Sequence, residues 1–230
     1  MDIANIIQNI AIYALPVIFA ITVHEAAHGY AARYFGDNTA WMMGRVTLNP
    51  LKHIDPFGTI LLPLMLVLLS SPFIFGAAKP VPVRFDKLRN PKRDMVWVAL
   101  AGPGSNLVQA FVWGVALYLL SAIGMSEPYF LKVCRAGIVV NVALFAFNML
   151  PLPPLDGGRV AVGLLPMPAA HALSRVEGYT LYIFLGMMVL SYLNIIDLFQ
   201  VFYTLWMQPV MALAFGLLDV LLMPFAALLG

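Results

Sequence analysis

Charged residues are rare along this chain and fall in clusters, and between the clusters run long stretches that carry none. Uncharged runs near the roughly 20 residues a helix needs to cross a hydrocarbon core are Ile3–Val23, Phe57–Ala78, Met95–Ser126, Ala136–Leu155, Gly178–Ile196 and Leu198–Leu218. The first is predicted to continue as helix to about Tyr34, because Ala26, Ala27, Ala31 and Ala32 are strong helix formers. Gly36-Asp37-Asn38 then stops it. Proline- and glycine-rich connections follow at Gly76–Pro82, Pro151–Gly158 and Pro166–Pro168. There is no internal repeat and no low-complexity tract.

Composition settles the solvent. Hydrophobic residues make up 62% of the 230, charged residues only 10%, and mean hydropathy is +0.88. Soluble domains run at about 45–50% apolar and about 25% charged, so folding in water would leave too much apolar surface exposed. Disorder, collagen, coiled coil and nucleic-acid binding are excluded with it. The expectation is an all-α polytopic membrane protein, a single transmembrane domain over 1–230 with a catalytic core over about 1–160 and further C-terminal membrane helices over about 178–230. The one cysteine, Cys134, excludes an intramolecular disulfide and multi-thiolate metal sites. The N-terminus has no basic region and no small-residue cleavage site, so the first run reads as a permanent span.

Charge placement refines the topology. With six full crossings, eight of the 13 Lys and Arg lie on the cytoplasmic side, and five (Arg33, Arg45, Lys52, Lys132 and Arg135) lie outside. That is a poor positive-inside bias. If Phe57–Ala78, weakened as a straight helix by Pro63 and Ser70-Ser71-Pro72, dips in and returns, only Lys132 and Arg135 of the 13 stay outside. A re-entrant segment is therefore expected.

Residues 24–28 read His24-Glu25-Ala26-Ala27-His28, an H-E-x-x-H on a predicted helix. Positions i and i+4 share a face, so both imidazoles can reach one ion, with Glu25 beside them to handle a bound water. Zinc lowers the pKa of such a water to about 7, and a neighbouring carboxylate takes the proton in peptide hydrolysis. Three ionisable groups at the end of an apolar span are costly and call for a function. Catalytic zinc usually has three protein ligands. The remaining donors are His53, His171, Asp55, Asp156, Glu127, Glu177, Asp197 and Asp219. Asp156 stands out: prolines end the helix before it, and Gly157-Gly158 permits a tight turn that aims a carboxylate inward.

With these residues in view, the sequence resembles the site-2 protease family of intramembrane zinc metalloproteases. The resemblance rests on H-E-A-A-H, on Ala101-Gly102-Pro103-Gly104-Ser105-Asn106, and on the stretch from Asn148 to Leu155-Asp156-Gly157-Gly158, in that order. It implies one zinc per chain held by His24, His28 and Asp156, with Glu25 as general base. It also implies a cytoplasm-facing active site and transmembrane proteins or peptides as substrates, cut in or near their membrane segments. No connection is long enough for a PDZ-like insert, so the chain is similar to a compact form. The ligands lie toward the C-terminal ends of two helices, which must run in the same direction to share a metal. Only the re-entrant topology makes them do so.

Asn148 and Asn106 are candidate substrate-binding amides, suited to hydrogen-bonding a substrate backbone or a developing oxyanion. Gly102 and Gly104 suit close helix approach. Gly44–Pro50 and Lys79–Phe85 have β-branched, proline-punctuated patterns, expected as short extended or β segments near the cytoplasmic face that offer an edge to an unwound substrate. His53 and Asp55 suit a structural turn, and Lys87, Arg89, Lys92 and Arg93 suit anionic membrane lipids. His171, Arg175 and Glu177 read as an interfacial connector, and Asp197 and Gln200 as a turn. The expected location is the cell (plasma) membrane. The rival classes are a metal-transporting or channel-like protein and an inactive scaffold relative. Transport predicts polar residues spread along a path through the bilayer, whereas here polarity concentrates at one depth. Sequence leaves the substrate, the oligomeric state and the role of Asp219 open.

Overall fold

A computed structural model describes residues 3–61, 65, 78–193 and 195–229, and the described residues are helical with no β-strand. Helix α1, Ile3–Tyr34, runs through the H-E-x-x-H and stops where expected. Gly36 has φ of 114°, and the amides of Gly36 and Asp37 bond back to Arg33 and Ala32, the glycine-based helix ending. Helix α2, Pro91–Ala122, starts with proline in its first turn, where the missing N–H costs nothing. The carboxylate of Asp94, fully buried, accepts the Asn90 N–H there. Helix α3 is Pro128–Asn148, and α4, Asp156–Leu164, follows a proline-rich loop. Then come α5 (Met167–Ser174), α6 (Thr180–Tyr192), α7 (Leu198–Phe202) and α8 (Gln208–Leu229). Asp197 caps α7, its carboxylate accepting the Gln200 N–H.

Among the described residues, five helices are long and apolar enough to cross a membrane: Ala4–Tyr34, Pro91–Ala122, Pro128–Asn148, Met167–Tyr192 and Leu198–Leu228. Their outward faces are apolar, with Ile7, Ile10 and Phe19 of α1 and Leu213, Leu217 and Val220 of α8 exposed. Such a surface suits lipid, and the helices satisfy their own backbone groups as a bilayer requires. Where helices meet, small residues let them close. A Cβ on Gly137 would lie 2.4 Å from the Trp113 ring, and one on Gly114 would lie 2.5 Å from Leu222, so α2 approaches both α3 and α8 closely. Ala110, Val142, Ala214, Leu218 and Leu222 fill that junction. Trp206 donates its indole N–H to the Ala146 carbonyl at 2.9 Å, fastening the C-terminal helices to α3.

The stretch between α1 and α2 is stitched to the end of α1. Asp37, buried, accepts the amides of Thr39 at 2.9 Å and Arg84 at 2.6 Å. His53 is buried with Nε2 on the Thr47 carbonyl, which gives it a structural place in this turn. The core of the expected re-entrant segment lies outside the described residues, but its two flanks meet: the Lys79 amide donates to the His53 carbonyl at 2.9 Å. Arg45 reaches the carbonyls of Lys79 and Pro80 from the same side.

The two segments expected as extended edges are not strands. Around Gly44–Pro50 the amides turn back locally, Arg45 to the Ala40 carbonyl and Asn49 to the Thr47 hydroxyl. In Lys79–Phe85, Pro80 and Pro82 have no N–H to offer a ladder, and the amides of Val81 and Arg84 are taken by the carboxylates of Glu25 and Asp37. The result is a strap that crosses α1 between two acidic side chains.

Candidate metal centre

Both histidines project from one face of α1 near its C-terminal end, and their Nε2 atoms stand 3.0 Å apart. Asp156 opens α4 as its first residue, and its two carboxylate oxygens lie 3.2 Å from Nε2 of His24 and 3.3 Å from Nε2 of His28. Two glycines make this placement possible, by a different route from the turn the sequence suggested. Both are helical, without positive φ. A Cβ on Gly157 would fall 2.1 Å from the Met149 carbonyl oxygen, and one on Gly158 would fall 2.2 Å from the Pro153 nitrogen. The start of α4 therefore lies against the 149–154 backbone, where no side chain fits. Gly102 does the same for the histidines, since its Cβ would lie 2.3 Å from Nε2 of His28. Gly104 has nothing within 4 Å and plays no such part.

The donor set fits a metal ion. Nδ1 of His28 donates to the Val98 carbonyl at 2.8 Å, and Nδ1 of His24 donates to the Asn106 side-chain oxygen at 2.7 Å. With both Nδ1 atoms protonated, each neutral imidazole turns an Nε2 lone pair inward, and the carboxylate adds another. Three lone pairs facing one another repel unless a cation lies among them. Donors about 2.0–2.2 Å from a tetrahedral zinc stand about 3.3 Å apart, close to the separations seen. Oδ2 of Asp156 is buried and has no hydrogen-bond donor. Among the described residues, His24, His28 and Asp156 are the group of His, Cys, Asp and Glu side chains close enough to share an ion.

Glu25 sits beside the pair, its Oε2 accepting the Val81 amide at 2.7 Å, and the residue lines a cavity. That cavity, of about 490 Å³, has His24, Glu25, His28 and Asp156 in its wall. The strap residues Pro80, Val81, Val83 and Phe85 bound one side, and Asn148, Pro154, Leu155 and Arg159 bound the other. The Arg159 guanidinium spans the two, 4.9 Å from the centre of the Phe85 ring and 3.5 Å from the Glu177 carboxylate.

Of the two candidate amides, Asn148 lines the cavity and Asn106 does not. Asn106 is fully buried behind His24, and its carboxamide is committed to His24, Asn141 and the Ala20 carbonyl. It has no group left for a substrate. Its partner Asn141 was missed from sequence, as were the Val98 carbonyl and the Val81 amide. Asn141 had a signal, being an amide inside an apolar span. The other two are backbone groups and leave no mark on a sequence.

Comparison with known proteins gives the family. "Putative zinc metalloprotease YwhC" of Bacillus subtilis is 41% identical to the chain over 184 residues, 76% of this chain and 78% of that protein. The chain belongs to peptidase family M50. The family's own model matches residues 126–191, and the resemblance read from the motifs stands. This M50 chain is also 27% identical to "Putative zinc metalloprotease Rip2" of Mycobacterium tuberculosis, across 77% of the chain and 66% of that protein. With "Putative zinc metalloprotease MJ0611" of Methanocaldococcus jannaschii it shares 33% identity, across 60% of the chain and 62% of that protein. The chain thus spans just under two thirds of these last two relatives. No solved structure matches it.

Proposed function

We propose that this M50 chain is an intramembrane zinc metalloprotease that binds one zinc per chain through His24, His28 and Asp156. Its substrates on this reading are transmembrane proteins or peptides, cut in or near their membrane segments. The observation that carries the reading is the convergence of three inward lone pairs from two remote parts of the chain, beside a carboxylate in a cavity wall. Bound there, zinc supplies a Lewis acid and an activated water.

The chain's residues supply the rest. Glu25, oriented by the Val81 amide, takes a proton from the attacking water at Oε1 and returns it to the departing amine. Asn148, in the cavity wall, gives one N–H of its carboxamide to the Leu144 carbonyl and offers the other to the substrate carbonyl. The strap and the Asn148–Arg159 side enclose the space in which an extended peptide would lie.

The location proposed is the plasma membrane, with the site near the cytoplasmic face and the basic residues near Lys87 and Lys92 on anionic lipid. The flanking contact between His53 and Lys79 supports a re-entrant excursion between them, since a full crossing would part its ends by about 30 Å. The whole chain is read as one membrane domain, its core over about 1–160. Glu25→Gln tests the assignment. The glutamine still accepts the Val81 N–H, so zinc content should hold while cleavage of a membrane-peptide reporter falls about 10²–10⁴-fold. Near-normal turnover by zinc-loaded mutant would refute the role of Glu25.

A further inference from the structure

The two amides behind His24 play no part in the chemistry above, yet their direction of hydrogen bonding is fixed from one end. The Gly137 carbonyl can only accept, so Asn141 turns Nδ2 to it at 2.8 Å and presents Oδ1 on its other side. Asn106 meets that oxygen with its own Nδ2 at 2.9 Å and therefore presents Oδ1 to Nδ1 of His24, at 2.7 Å. An amide oxygen does not donate, so Nδ1 carries the ring proton and Nε2 the lone pair. Asn106 and Asn141 are both fully buried, and each amide's orientation is dictated by the one before it. His28 reaches the same tautomer more simply, directly on the Val98 carbonyl.

We propose that Asn141 is a positioning residue that sets the tautomer of His24 through Asn106 and so keeps Nε2 open to a metal ion. The proposal rests on the reading of His24 as a zinc ligand. Without Asn141, the present orientation of Asn106 is held only by the long 3.4 Å contact of its Nδ2 with the Ala20 carbonyl, which Gln109 shares. An Asn106 turned over would present N–H to Nδ1 of His24 and move the ring proton to Nε2, onto the atom that binds the ion.

The test compares full-length wild type, Asn141→Leu, Asn141→Asp and Val142→Ala in detergent. Leucine removes both polar functions at similar volume. The aspartate variant still accepts from Asn106 in either protonation state, so it preserves the direction of the chain. Val142, also fully buried, controls for packing. Zinc affinity by chelator competition should fall about 10–100-fold in Asn141→Leu, the usual cost of losing an outer partner of a ligating histidine. It should stay near wild type in the other two. In metal-free protein, nitrogen-15 histidine spectra should show His24 moving from the Nδ1–H toward the Nε2–H form in Asn141→Leu alone. Asn141→Ala gives the same readouts where the leucine variant fails to fold. Wild-type affinity and an unchanged His24 tautomer in Asn141→Leu would overturn the proposal, as would an equal loss in Asn141→Asp, which would mean packing. Failure of the zinc reading shows separately: wild type then binds no zinc while the tautomer shift persists.

Discussion

Replacing Gly102 by alanine adds one methyl group against the metal centre. The new Cβ would lie 2.3 Å from Nε2 and 2.5 Å from Cε1 of His28, and 2.7 Å from Cε1 of His24. Ordinary contact between such atoms begins near 3.4 Å, so a ring or the helix must retreat by about 1 Å. The rings have little room to do so, since each is held by a hydrogen bond at Nδ1. A metal site tolerates errors of about 0.2 Å in its donors, and a misplacement of about 1 Å costs on the order of 10²-fold in rate. Gly102→Ala should therefore lose about 10²-fold in cleavage and release zinc to a chelator that leaves wild type loaded. Gly104→Ala is the control on the same helix. It meets nothing within 4 Å and gains about 1 kcal/mol of helix propensity, so zinc and activity should be kept. Full zinc binding and cleavage in Gly102→Ala would show that the two helices are not packed as described.

Asp156→Ala should abolish cleavage and weaken zinc binding, while His53→Ala, its ring on the Thr47 carbonyl and outside the group of converging donors, should leave metal content unchanged; the reverse pattern in metal analysis would exchange their roles. Asp37 carries the pH dependence. Burial pushes its carboxyl up, but the hydrogen bonds from Thr39 and Arg84 and the Lys87 charge more than offset this and hold it below its ordinary value. Such a group stabilises the fold fully above its unfolded pKa of about 3.9, and the contribution is lost as pH falls through the lower folded value. Asp37→Asn should lower the melting temperature at neutral pH, with the gap to wild type closing below about pH 4; a gap independent of pH would exclude the mechanism. For topology, in a Cys134→Ser background, cysteines at the exposed Asn38 and Asn90 should resist an impermeant reagent in intact cells, and one at Ser126 should react. Labelling at only one of the first two would mean a full crossing between them.

What the sequence disclosed follows from where the information sits. H-E-x-x-H is local, with spacing and chemistry in five residues, so the helix face that His24 and His28 share was legible at once. The end of α1 at Gly36 was legible for the same reason. Asp156 needed the proline and glycine context and the family resemblance. Even then the reason for Gly157 and Gly158 was misread, since they make space for a neighbouring backbone rather than a turn, and that neighbour arrives only when the chain folds. Asn106 looked like a substrate group because an amide in an apolar span announces a function without its direction. The strap looked like a strand because its valines have strand chemistry, but Pro80 and Pro82 silence its edge.

The separation of the ligands along the chain has a consequence for synthesis. His24 and His28 emerge first; their hydrogen-bond partners Val98 and Asn106 follow on α2, then Asn141, which bonds Asn106, on α3, and finally Asp156 at the head of α4. Until that last residue leaves the ribosome, the histidine pair lacks its carboxylate and the cavity lacks a wall. On the proposed function, the nascent chain is thus inert toward neighbouring membrane proteins while its own first helices lie in the bilayer, and it gains its chemistry only once the bundle has closed around it.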